Sequence, residues 1–241
     1  MGDETNQARN DVAPEVRAAA LTAMAAWVSA IADRFTNPIA GMVAALEMVD
    51  RQAVTDPVAL DSIARVRARL LALGDFVSEL VDFAKPARLT PALVDVRALL
   101  ARVAAELEPS LPAATRLEVV IEPGAERLTA DPDKLRLILR ALLDNAVQAV
   151  PPPGVPSLAM AARPGAAPGT VAFMVDDNGL GFPPQLAQAA LEPFVTTKEA
   201  GTGLGLAIVR KYVEAHGGRI ELGRSARLGG ACVSVTLPTH N

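Results

Sequence analysis

The sequence predicts two folds in series: a long antiparallel helical hairpin, then an α+β domain with helices on one face of a mixed sheet. Three observations predict this. Apolar residues recur in steps of three and four through the first third of the chain, the seam of long paired helices. After Pro86 the pattern changes to short alternating or β-branched runs separated by amphipathic helical runs. The 241 residues are 51% hydrophobic with a mean hydropathy of +0.27, enough for one or two buried cores.

Taken in order, residues 1–14 are polar and form a flexible N-terminus, and residues 15–86 form the hairpin. Its first helix carries Leu21, Met24, Val28, Ile31, Phe35, Met42 and Val49 on one seam. A polar break from Asp50 to Pro57 follows, ending in a cap and first-turn pair, Asp56 and Pro57. The second seam runs through Leu60, Ile63, Val66, Leu70, Leu73, Val77, Leu80 and Ala84, and Pro86 stops it. An isolated hairpin would leave that seam wet, so a homodimeric four-helix bundle is expected. The alternative is a monomeric hairpin packed on the rest of the chain. Residues 87–241 form the second domain, with strands expected at Leu117–Glu122, Ser157–Ala162, Thr170–Val175, Arg219–Leu222 and Ala231–Leu237. Helices are expected at Val96–Leu107, Pro132–Val150 and Gly205–His216, with Pro- and Gly-rich loops at Pro151–Pro156 and Pro164–Gly169.

Composition removes several classes of function. With 23 basic and 27 acidic side chains the net charge is −4, which argues against nucleic-acid binding through a general basic field. The single cysteine, Cys232, excludes an intrachain disulfide framework. The longest uncharged helical stretch, Ala18–Ala32, has 15 residues and is mostly alanine, short of the ~20 that a spanning helix needs. Asn145–Ala162 is longer but broken by four prolines. The first residues are polar and acidic and do not resemble a signal peptide. The expectation is a cytoplasmic protein with no membrane span in this chain.

Four segments of the second domain carry chemistry. A helix holds Asp144-Asn145-Ala146, and a strand runs into Asp176-Asp177-Asn178-Gly179-Leu180-Gly181. Leu191-Glu192-Pro193-Phe194-Val195-Thr196-Thr197-Lys198 follows, then Gly201-Thr202-Gly203-Leu204-Gly205-Leu206 opens a helix. A carboxylate at a strand end, Asp177, with Gly179 and Gly181 admitting close approach, suits an exocyclic amine beneath a flat purine. Glycines at a helix N-terminus offer backbone N–H groups to phosphates, and Lys198 with Thr196 and Thr197 adds charge and hydroxyls to the same anion. The amide oxygen of Asn145 is a hard ligand suited to Mg²⁺ shared with those phosphates. Each segment alone is a common pattern; a dinucleotide fingerprint is excluded at Gly201–Gly205 because no strand precedes it.

In this order the four segments resemble the N, G1, F and G2 boxes of sensor histidine kinases. That family shares its ATP-binding domain with Hsp90, gyrase and MutL. The resemblance spans about residues 90–238, including Ala215-His216-Gly217-Gly218. It implies a Bergerat-type α/β sandwich that binds ATP and Mg²⁺. Asp177 would contact adenine and Asn145 would hold Mg²⁺. Thr196, Thr197, Lys198, Gly201, Thr202, Gly203, Leu204 and Gly205 would form a mobile lid over the triphosphate.

The hairpin resembles the dimerisation and phosphoacceptor domain of the same family, with two adjacent departures. The family's H box reads Ala-His-Glu-x-x-Asn-Pro-Leu; here the residues are Ala32-Asp33-Arg34-Phe35-Thr36-Asn37-Pro38-Ile39. Asp33 stands at the acceptor histidine, on a solvent-facing heptad position, and Arg34 replaces the neighbouring acid. Imidazole gives a phosphoramidate, whereas an Asp carboxylate could give only an acyl phosphate, and Arg34 stays protonated and cannot act as a base. The two histidines present, His216 and His240, lie outside the hairpin. Ala141 stands where the family often has a second Asn and where Hsp90-like ATPases carry a Glu base. Asn37 matches the residue thought to orient water in dephosphorylating a response regulator. The resemblance thus implies a degenerate kinase: an ATP-binding regulator, scaffold or phosphatase, with a receiver domain or another histidine kinase as partner. The alternatives are an active kinase altered at residue 33 or acting in trans, and a Hsp90- or MutL-like ATPase or anti-sigma-type serine kinase.

Overall fold

The computed structural model describes residues 35, 37–49, 56–183, 189–196, 198 and 201–239. The chain divides into two compact units, Met1–Pro86 and Ala87–Asn241.

In the first unit, helix α1 covers residues 37–49 and helix α2 covers Pro57–Ala84. Asp56 caps α2 by accepting the Val58 N–H at 3.0 Å, and Pro57 occupies the first turn, where no backbone N–H is needed. Ile39 and Val77 are buried, and a Cβ built on Gly74 would lie 3.8 Å from Ile39 Cγ2, so α1 approaches α2 closely at that glycine. The seam positions divide. Ile63, Leu70 and Leu80 are half-buried, whereas Phe35, Met42, Val49, Val66 and Leu73 are exposed. Two helices cover only one side of each apolar stripe, which explains the division. Asp33 lies outside the described residues, and Asn37 is exposed on α1.

The second unit contains a five-stranded sheet in the order β2–β4–β5–β7–β6 and a two-stranded pair, β1–β3. The strands are β1 (Ala92–Asp95), β2 (Arg116–Ile121), β3 (Arg127–Ala130), β4 (Ser157–Pro164), β5 (Thr170–Asp177), β6 (Arg219–Arg224) and β7 (Ala231–Pro238). Only β2 and β4 run parallel, so the α+β class with a mixed sheet holds. The β1–β3 pair, which buries Val94, Leu128 and Ala130, is absent from the sequence-based prediction. Ala92–Asp95 does not alternate, and at Arg127–Ala130 the alternation lasts only four residues, the shortest run that can carry the signal. The helices are α3 (Val96–Leu107), α4 (Pro132–Gln148) and α5 (Gly205–Ala215). The predicted helices to Val150 and His216 end earlier, at Gln148 and Ala215, where Ala149 and His216 close the last turns.

Helix α4 packs against α3, α5 and β5, and its buried face is Leu135, Ile138, Leu139, Leu142, Leu143 and Ala146. The opposing strands bury Leu158, Met160, Phe173, Val175, Val233 and Val235. Period-two alternation along β5 places Asp177 on the same face as Phe173 and Val175. The last residue of a core strand is therefore a carboxylate turned toward the helix layer.

Candidate functional site

Asp177 is only 4% exposed at the end of β5. Its Oδ1 accepts the Gly179 N–H at 2.8 Å and the Ala231 N–H at 3.0 Å, and its backbone carbonyl accepts the Gly230 N–H at 3.0 Å. Among the described residues no hydrogen bond reaches Oδ2. Burial pushes this carboxyl above the usual aspartate range; the two backbone N–H bonds and Lys198 pull it back, and burial prevails. The loop after the strand is pressed onto the end of α4. Leu180 N–H donates to the Ala149 carbonyl at 3.3 Å, and a Cβ on Gly179 would collide with that same carbonyl group, so the close approach requires glycine. Gly181 follows with φ +73°.

The second cluster lies on α4. Asn145 and Gln148, three residues apart, share one face of the helix. Lys198 Nζ donates to Asn145 Oδ1 at 3.0 Å and to Gln148 Oε1 at 2.8 Å. Burial lowers the Lys198 pKa, against the opposing pull of Asp177 and Asp144. Asp144 itself pairs with Arg140 Nε at 2.8 Å. The start of α5 faces the same cluster, because a Cβ on Gly205 would lie 3.7 Å from Asn145 Nδ2. No side chain caps α5, so the N–H groups of its first turn are open to an anion.

The segment between them is folded on itself. Thr196 Oγ1 accepts the Lys198 N–H at 3.1 Å, and Thr202 Oγ1 accepts the Leu204 N–H at 3.2 Å. The Thr196 hydroxyl, predicted to serve a phosphate, thus already accepts a hydrogen bond in a local turn, as does that of Thr202. Gly203 has φ +68°, and a Cβ there would stand 2.6 Å from the Phe194 carbonyl carbon. The Phe194 N–H donates to the Gly203 carbonyl at 3.0 Å, fastening the two ends of the segment, and Gly201 N–H bonds the Lys198 carbonyl at 3.1 Å. Leu204 is fully buried and anchors the entry to α5. Phe194 and Leu180, on the two segments that carry the clusters, are exposed by 60% and 83%. Thr197 lies outside the described residues.

The structure therefore gathers Asp177, Gly179 and Gly181 in one cluster and Asn145, Lys198 and Gly205 in another, with Thr196, Gly201, Thr202, Gly203 and Leu204 in the segment beside them. Three contributors escaped the sequence-based prediction. Gln148 shares Lys198, and Gly230 and Ala231 hold Asp177. The Gly229-Gly230 pair opening the last strand was the available signal for the latter two. His216 is buried at 2% exposure. Its Nδ1–H donates to the Tyr212 carbonyl at 2.6 Å, and its Nε2 accepts the Asp131 N–H at 3.0 Å. Both ring nitrogens are thereby committed to joining α5 to the start of α4. Among the described residues no group of three or more His, Cys, Asp or Glu side chains could hold a metal unaided. No helix among them is long and apolar enough to cross a membrane.

Residues 130–241 match the family of histidine kinase-, DNA gyrase B- and HSP90-like ATPases, a range that contains both clusters. Over 222 residues, 91% of its length, the chain is 32% identical to the sensor histidine kinase ZraS of Klebsiella oxytoca. The chain belongs to the sensor histidine kinase family. Among its histidine kinase relatives, the sensory histidine kinase/phosphatase NtrB of Rhizobium leguminosarum bv. phaseoli is 31% identical over 84% of the chain. The chain spans about half the length of these curated relatives, 47% of ZraS and 56% of NtrB. Full-length ShkA, a solved structure in complex with AMPPNP, superposes with a TM-score of 0.74 at 25% identity, covering 89% of this chain and 46% of that one. The mycobacterial sensor histidine kinase MprB matches 63% of this chain and 99% of its own, with a TM-score of 0.55 at 26% identity.

Proposed function

We propose that this chain is an ATP- and Mg²⁺-binding, homodimeric regulator of two-component signalling that lacks its own phosphoacceptor and acts as scaffold or response-regulator phosphatase. The observation that carries the nucleotide half is Asp177: a buried carboxylate with one oxygen fixed by two backbone N–H groups and the other unengaged among the described residues. Such an oxygen is preorganised for the exocyclic amine of adenine. Beside it stand two amide oxygens already holding an ammonium, hard donors of the kind Mg²⁺ accepts alongside phosphates, and the open N-terminus of α5. AMPPNP bound to the related ShkA supports the same reading. Asp177 would select adenine, Asn145 would hold Mg²⁺, and the 196–205 segment with Lys198 would meet the phosphates.

The regulatory half rests on the hairpin. Asp33 cannot form a phosphoramidate, Arg34 cannot serve as base, and His216 has both nitrogens occupied. Asn37 is exposed on α1, where its amide is accessible to orient water, and the relative NtrB carries both kinase and phosphatase in its name. Ala141, one turn before Asn145, offers no base for an Hsp90-type hydrolysis. The exposed apolar positions Met42, Val49, Val66 and Leu73 supply a surface for a second copy. The intact Asp177 and Asn145 clusters also favour a second reading, transfer of phosphate to a partner's histidine in trans.

The experiment combines labelled ATP with calorimetry on the full chain. Nucleotide binds, the chain acquires no acid-labile, alkali-stable label, and a phosphorylated receiver domain loses phosphate faster with the chain than with Asn37→Ala. Label on the chain itself overturns the regulatory reading. Label on an added partner histidine kinase selects transfer in trans.

A further inference from the structure

The ligand-free chain already seats a cation at this site, the Lys198 ammonium between Asn145 Oδ1 and Gln148 Oε1. We propose that Asn145 and Gln148 together form a two-oxygen cation seat, that Lys198 fills it as a tethered stand-in without nucleotide, and that Gln148 positions the divalent cation beside Asn145 when nucleotide is bound. The last step rests on the ATP–Mg²⁺ reading above.

Three features of the site carry it. An ammonium only donates, so both amides present their oxygens inward, at 3.0 and 2.8 Å, from one face of α4. Mg²⁺ keeps several waters and takes one or two protein oxygens plus phosphates, and two neutral amide oxygens fit that share. With no cluster of three or more acidic, His or Cys ligands among the described residues, the seat is too weakly charged to hold a divalent ion alone. A tethered monovalent cation can therefore occupy it until the anionic phosphates arrive.

The two occupants exclude each other. Unit charges a few ångströms apart repel strongly in a partly desolvated site, and both need the same lone pairs. Lys198 leaves the seat when a divalent cation takes it, and its ammonium becomes available to an anion. Its backbone is tied to Thr196 Oγ1 and to the Gly201 N–H, so the movement is passed to the segment that Phe194 and Gly203 fasten. Seat occupancy and segment position are then one equilibrium.

The test uses the full chain in two measurements. Hydrogen exchange of residues 194–204 without nucleotide reads the Lys198 seat. Gln148→Leu, which removes one charge-assisted hydrogen bond, is expected to speed it by about tenfold, and Lys198→Met, which removes both, by at least as much. Gln148→Glu, which keeps an oxygen at the seat, retains the slow exchange. Calorimetry of ATP with Mg²⁺ or with EDTA reads the cation role. Gln148→Leu is expected to cut the Mg²⁺-dependent gain in affinity about tenfold. Circular dichroism establishes that each variant is folded. Unchanged exchange in both Lys198→Met and Gln148→Leu overturns the seat, and an unchanged Mg²⁺ gain in Gln148→Leu overturns the positioning role. Absence of ATP binding by the unsubstituted chain overturns the nucleotide reading and the positioning role with it, while the exchange result still decides the seat.

Discussion

At Asp177 a single oxygen closes a small circuit of backbone N–H groups, and this makes the residue both a ligand candidate and a structural staple. Asp177→Ala leaves the Gly179 and Ala231 N–H groups without their acceptor and removes the oxygen proposed for adenine. ATP affinity should fall by about 10- to 100-fold, the range for a hydrogen bond to a charged group, as calorimetry can measure. Gly230→Ala tests the same site without removing a polar group, since a Cβ there would overlap Asp177 Oδ1 and displace it. It should weaken nucleotide binding about as much as Asp177→Ala while the circular dichroism spectrum stays that of the parent. His216 is the residue for which the family's chemistry invites a catalytic role and the structure assigns a mechanical one. His216→Ala orphans the buried Asp131 N–H and should cost about 1–3 kcal/mol in urea denaturation.

Among the elements, α4 decides how the site is built. Asp131 caps it by accepting the Asp133 and Lys134 N–H groups, both at 3.0 Å, and its second oxygen accepts the Thr90 N–H at 2.7 Å. Burial pushes this carboxyl up, but the three backbone donors and the Lys134 charge outweigh it and hold the group below its ordinary 3.8. A depressed folded pKa means that the stabilisation is fully present above the unfolded value and is lost as pH falls through the folded one. Asp131→Asn should be less stable than the parent by about 1 kcal/mol near neutrality, with the gap closing as pH drops below about 4, as denaturation curves over pH will show. The hairpin elements carry a different prediction. Val66 and Leu73 are seven residues apart on one exposed edge of α2. The double substitution Val66→Glu and Leu73→Glu should convert the proposed dimer to monomer by analytical ultracentrifugation, with unchanged helical content.

For the molecule as a whole, each of the two units gathers its own contacts, and Pro86–Ala87 is the junction. A fragment of residues 87–241 contains the sheet, its helix layer and both site clusters, so it should fold cooperatively and bind ATP by itself, as calorimetry will test. How much of this was legible varied with the kind of signal. Helix α3 was predicted at its observed ends, Val96 and Leu107, because a helical apolar pattern marks it; in the structure Asp95 caps it. The β1–β3 pair was invisible, since its partners stand some 35 residues apart and each is four residues long. Asn145, Asp177 and Lys198 were found by their order along the chain, yet nothing in that order says that Lys198 rests on Asn145 and Gln148. Long-range pairing brings together residues whose spacing in the sequence carries no period.

The sequence by itself determined the α+β class, the family and the absence of a histidine at residue 33, because local propensity, motif order and residue identity are all written along the chain. Only the tertiary structure decided that Asp177 is gripped by Ala231 and that His216 spends both nitrogens on α4 and α5. It alone placed a lysine in the seat proposed for a divalent cation. Apart from the His216–Tyr212 bond within α5, these contacts join residues fifty or more positions apart, and their geometry comes from how the helix layer packs on the sheet.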